Sequence, residues 1–145
     1  MGKTALEKIT EGIEVSKDEC VRSLAAHMSG FKLVLERFEN DTKPFIKAPD
    51  ETLMKICQNS ITACQDKQTK VNEMTEQLIM RLDETNQDDK VTKDEAEKKR
   101  TEIATKLDAA KTEFIDNLAK YKADKAKKEK DTIESQENQV VRGSS

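Results

Sequence analysis

Cys20 and His27 are the one pairing in this chain of 145 residues that could supply a nucleophile and its base, because His27 is the sole histidine. A thiolate beside an imidazole can attack a carbonyl or ligate a metal, and both uses need the two side chains in direct reach. Seven residues of helix separate them by about 10 Å along the axis, beyond that reach, so His27 is expected to be a boundary residue with no chemical role. The acidic run Asp83-Glu84-Thr85-Asn86-Gln87-Asp88-Asp89 is dense enough in oxygen ligands to suggest a calcium loop. It carries Asp88 at the sixth position, where the sharp turn needs Gly, and Asp94 at the twelfth, where a bidentate Glu is wanted. A solvated turn between helices is expected instead. No Gly-rich phosphate loop, Cys-x-x-Cys pair or His-Glu-x-x-His pattern occurs. No catalytic residue, no cofactor and no metal site is therefore expected, and the chain is not expected to be an enzyme.

Two other features invite a functional reading. Lys120, Lys122, Lys125, Lys127, Lys128 and Lys130 set six positive charges against Asp124 and Glu129, the sharpest charge asymmetry in the sequence. Such a cluster suits an anionic membrane, an acidic protein surface or a nucleic-acid backbone. With no aromatic or large apolar residue interleaved from Lys122 to Lys130, it carries little to stack on a base or enter a lipid tail region, and a solvated helix end is the plainer expectation. Gln68 is a polar amide at a position where the apolar repeat calls for a Leu. A single polar residue in such a stripe more often sets helix register than binds a ligand.

These side chains must be positioned by long helices, because four Gly and two Pro leave few places where a helix has to break. Hydrophobic residues make up 34% and charged residues 38%, with no Trp and one Tyr, which fits thin apolar stripes and excludes a thick β-sandwich core or a deep substrate pocket. The net charge of −3 is small against 26 basic and 29 acidic residues, so no global field points to nucleic acid. Three cysteines are an odd number, and Cys57 and Cys64 stand too far apart on one helix for a disulfide. A reducing compartment, intracellular and cytoplasmic, is the resulting expectation. The ending Val140-Val141-Arg142-Gly143-Ser144-Ser145 reads as vector-derived, with the natural chain continuing beyond it.

The stripes themselves are regular. Val21, Leu24, Met28, Phe31, Leu35 and Phe38 return every three or four residues, as do Met54, Cys57, Ile61, Cys64, Gln68, Val71, Thr75, Leu78 and Leu82, and later Ile103, Leu107, Ala110, Phe114, Leu118 and Tyr121. The first helix is expected over about 4–39, either continuous or restarted at a Ser16/Glu19 capping box, with Gly12 and Gly30 each weakening it by roughly 1 kcal/mol. Pro44 and Pro49 predict a connection over residues 40–49. A second helix is expected over 50–83, and a third over 92–125, opened by a Thr92/Glu95 box.

The predicted architecture is all-α: an elongated antiparallel three-helix bundle, coiled-coil-like, forming one domain over residues 1–125. The charged tail 126–145 is expected to fray into disorder. Val21, Leu24, Phe31, Leu35, Ile61, Val71, Leu78, Ile103, Leu107 and Phe114 are the predicted core. With no site chemistry, the expected function is a non-catalytic interaction or scaffold module that binds a protein partner. The alternatives are a lipid-responsive amphipathic bundle touching anionic membrane surfaces through the lysine cluster, and a self-associating coiled-coil fragment. No specific nucleic-acid partner is expected.

Overall fold

The computed structural model describes residues 2–143, with side chains described from 2 to 133. Among the described residues the fold is all-α, with four helices packed together and no strand. The vector-like ending lies outside the described side chains, and its Ser144 and Ser145 lie outside the described residues altogether.

Helix α1 spans Ala5–Thr10, capped by the Thr4 hydroxyl, which accepts the Glu7 N–H at 3.2 Å. It stops at Gly12, whose φ of 77° lets the Ile13 N–H reach back to the Lys8 carbonyl and the Gly12 N–H to that of Ile9. That closure needs a left-handed residue, which explains the glycine. Helix α2, Lys17–Lys47, restarts as the Ser16/Glu19 box predicts: the Ser16 hydroxyl accepts the Glu19 N–H at 3.1 Å. The first predicted helix is thus two, joined by a short linker.

Helix α2 also runs straight through Pro44, where the sequence predicts a connection. Pro44 costs a helix up to about 3 kcal/mol through its missing N–H and ring clash. Phe45 offsets that cost: it is fully buried, with its ring 5.4 Å from that of Phe114 and 5.7 Å from that of Tyr121. Burying one Phe contributes about 1.5–3 kcal/mol and each aromatic contact about another 0.5–1.5. The connection shrinks to Ala48–Asp50, and helix α3, Glu51–Met80, starts with the Asp50 carboxylate accepting the Leu53 N–H at 2.7 Å.

Helix α4, Gln87–Gly143, begins five residues before the predicted Thr92 box. Asn86 caps it by accepting the Asp89 N–H at 3.2 Å, and Thr92 sits inside the helix, its hydroxyl donating to the Asp88 carbonyl. At its far end α4 continues to Gly143, through the segment expected to be disordered. No Gly or Pro interrupts residues 50–142, and the segment opens on Ala126, Lys127, Lys128, Glu129 and Lys130, all strong helix formers.

Two buried clusters hold the helices together. The first gathers Ala5 and Val15 from the N-terminal segment with Cys20, Leu24, Val71, Met74, Leu78 and Ala96. The second gathers Phe31, Leu35, Phe38, Phe45, Cys57, Cys64, Leu107 and Phe114, with Ile103 packed against both. Val21, expected in the core, is 40% exposed, while Cys20 is fully buried. Because α2 starts at Lys17, its inward line enters at Cys20 and Leu24, and Val21 turns 100° away from Cys20. Ile61 and Ile103 are half-buried; the other predicted core residues are buried. Contacts between α2 and α3 pair falling with rising numbers, Gly30 with Lys67 and Asp41 with Ser60, and Val15 just before α2 meets Arg81 just after α3. The fold-back turns at Ala48–Asp50 rather than midway through residues 40–49, and Leu24 packs in one cluster with Val71, Met74 and Leu78.

Candidate functional site

Cys20 and His27 are not brought together as reacting groups. Cys20 lies sealed in the first cluster, and burial raises its thiol pKa. His27 is half-buried beside α1, its pKa lowered first by burial and then by the Lys67 and Lys70 ammonium groups. Both shifts oppose a thiolate–imidazolium pair. Cys57 and Cys64 are also fully buried, and desolvation pushes Cys64 up to about 11. All three thiols are free.

The acidic loop turns inward on itself. Asp89 is nearly buried and accepts the Lys17 ammonium at 2.8 Å on one oxygen and the Asp83 N–H at 2.8 Å on the other. Asp83 in turn accepts the N–H and hydroxyl of Thr85. The pKa of Asp89 is lowered by the Asp83 backbone N–H first and by Lys17 next. This network ties the start of α2 to the turn before α4 and leaves the Asp89 oxygens engaged. Among the described residues no group of three or more His, Cys, Asp or Glu side chains is arranged to hold a metal ion. Beside it, Arg81 donates to the Val15 carbonyl at 2.8 Å and to the Gln77 carbonyl at 2.7 Å, closing the same end of the fold. Sequence reasoning missed both Asp89 and Arg81, since nothing local to either distinguishes a clamp from a surface charge.

Gln68 is half-buried on α3, in the gap between Cys64 of one cluster and Val71 of the other. Opposite this gap α2 carries Gly30, where an added Cβ would stand 3.4 Å from Cε and Nζ of Lys67. The long stem of Lys67 therefore lies across α2 where a larger residue would crowd it. No buried side-chain polar atom among the described residues lacks a partner, so Gln68 is not an orphaned amide awaiting a ligand. A groove of about 370 Å³ runs between α2 and α4, lined by Ile46, Ala109 and Ala110 with Glu39, Lys106 and Glu113. Its lining sets two carboxylates, Glu39 and Glu113, beside two ammonium groups, Lys43 and Lys106.

The lysine cluster is the feature the fold displays most openly. Residues 122–133 are all exposed, as is Lys120. Lys125 bonds to Glu51 at 2.9 Å, raising its own pKa and lowering that of Glu51, and this contact marks where α3 begins and the shared cores end. From there α4 runs 18 residues further, to Gly143. At 1.5 Å per residue the projection is about 27 Å of helix. Lys127, Lys128 and Lys130 ride on this arm.

No helix among the described residues is long and apolar enough to cross a membrane. Comparison with protein families, with curated proteins and with solved structures gives no match for the chain.

Proposed function

We propose that the chain is a non-catalytic interaction module: an elongated antiparallel three-helix bundle of α2, α3 and α4 that presents the α4 arm to a protein partner. The observation that carries this is the arm itself, exposed along residues 122–133 and extending past the last shared core contact. The opposed numbering of the contacts Asp41–Ser60, Arg100–Glu76 and Lys125–Glu51 supports the bundle. In this reading Gln68 is a register device: a slip of one turn along α3 would carry its amide into one of the two apolar clusters.

Affinity capture on the immobilised full chain tests the module, run beside a chain carrying Lys127→Glu, Lys128→Glu and Lys130→Glu. A partner retained by the first and lost by the second is expected. Identical capture by both, or capture of nothing, sinks the proposal.

A lipid-responsive bundle is the second reading, favoured by the exposed lysines on a helix. The arm's one large apolar residue among the described side chains beyond Tyr121 is Ile133, which gives little to insert. Cosedimentation with anionic vesicles separates the two, the interaction module remaining in the supernatant.

A further inference from the structure

Helix α1 is six residues long, too short to hold its shape in water, so its helical state depends on the bundle beneath it. The bundle holds it lightly. Ala5 is buried, Leu6 and Ile9 pack half-buried on the first cluster, and the Lys8 ammonium meets the Glu19 carboxylate at 2.7 Å. Behind it residues 11–14 are exposed, with the left-handed Gly12 among them. Val15 then turns inward, and Arg81 ties down its carbonyl at 2.8 Å. Helix α1 is thus a strap, fixed at Val15 and hinged over residues 11–14.

Under the strap lies the one imidazole of the chain. A cleft of about 340 Å³ between α1 and the α2–α3 pair has His27 in its lining. Helix α1 brings Glu7 and Glu11 to this cleft, and α3 brings Lys70 and Glu73. Lys67, one turn before Lys70 on α3, lies across α2 at Gly30, one turn after His27. Glu11 is already engaged by the Lys3 ammonium, which leaves Glu7 and Glu73 to set against Lys67 and Lys70. Those four charges balance, so the burial of the ring decides which form of His27 the closed cleft prefers. Burial favours the neutral imidazole, and the nearby Lys67 and Lys70 act in the same direction.

We propose that α1 is a pH-released strap, closed over neutral His27 and lifted when His27 gains a proton. Lifting α1 removes its share of the burial and lets water reach the imidazolium, so opening and protonation favour each other. The closed form has the lower affinity for the proton. Closure is therefore complete above the ordinary imidazole value of 6.5 and weakens as the pH falls through it. Opening bares part of the first cluster, at the end of the bundle away from the α4 arm, so the strap acts independently of what the arm binds.

A pH titration of the isotope-labelled full chain by NMR tests the strap, from about pH 8 to about pH 5, the range that brackets an imidazole. Cα shifts of residues 5–10 report how much of α1 is helical, the ring shifts of His27 report its proton, and Cα shifts of residues 71–78 on α3 report the bundle. In the unaltered chain the helical shift of α1 is expected to be lost in step with the His27 titration, while the α3 shifts hold. His27→Gln, which stays neutral, should keep α1 helical across the range. Ile9→Ser removes an apolar anchor of the strap without adding charge; it should melt α1 at neutral pH and move the His27 midpoint up toward 6.5. The strap is overturned by a His27 that titrates while α1 stays helical, or by an α1 that melts equally in His27→Gln, which would assign the effect to the carboxylates. It is equally overturned by a His27 midpoint that stays put when Ile9→Ser melts α1, or by α3 shifts that change together with those of α1, the mark of a whole bundle coming apart.

Discussion

At the residue scale the core separates sharply from its near neighbours on the same helix. Leu107 and Phe114 are at most 2% exposed, and Phe114 meets the rings of both Phe38 and Phe45. Truncating either to Ala leaves a cavity that the clustered aromatics cannot collapse into, at an expected cost of about 2–5 kcal/mol. Val21→Ala, by contrast, should stay within about 0.5 kcal/mol, because its side chain already faces water. Urea midpoints of the three variants check this, and equal losses at Val21 and Leu107 would refute the inward line that enters at Cys20. Asp89 carries the clearest pH dependence. Its carboxyl is held below the usual value in the folded chain, so its contribution is complete above about pH 4, where the unfolded carboxyl is ionised, and fades as the pH falls through the folded value. Asp89→Asn should therefore lower stability near neutral pH and flatten the acid limb of the stability profile. An acid limb of unchanged slope would mean that the Lys17–Asp89–Asp83 network contributes nothing.

At the element scale the two helix-region glycines part company. From composition alone both weaken a helix equally, yet Gly12 is the left-handed residue that ends α1, while Gly30 lies within α2 beneath Lys67. Gly12→Ala forces a side chain into φ 77° and should cost about 1–2 kcal/mol. Gly30→Ala should stabilise by up to about 1 kcal/mol, since its new Cβ meets only the flexible end of Lys67 at 3.4 Å. Thermal melts of the two should shift in opposite directions. Pro44 teaches a related lesson about tertiary override: a fixed backbone penalty is outweighed where the next residue, Phe45, fills a core site.

At the scale of the whole molecule, stability and arm are expected to be independent. The described arm residues 126–133 are exposed throughout, and the core clusters reach no further along α4 than Tyr121. Removing residues 126–145 should thus shift the unfolding free energy of the dilute chain by less than about 0.5 kcal/mol while lowering its helical signal. A large loss of stability would mean that the arm packs back on the bundle.

Periodicity by itself determined that this chain is all-α, where the stripes of its longest helices lie and which residues of α3 and α4 face inward, because a helix's burial pattern is written at three- and four-residue spacing in its own segment. The Ser16 restart of α2 was equally local, a hydroxyl three residues from a glutamate. Only the tertiary structure decided that α2 passes Pro44, that Asn86 rather than Thr92 starts α4, that Asp89 is a clamp and that Cys20 displaces Val21 from the core. Three of these turn on a partner far away in sequence: Phe114 for Phe45, Lys17 for Asp89, Val71 and Met74 for Cys20. The free energy that settles them comes from burial and pairing between helices, and no window of sequence around the residue contains it.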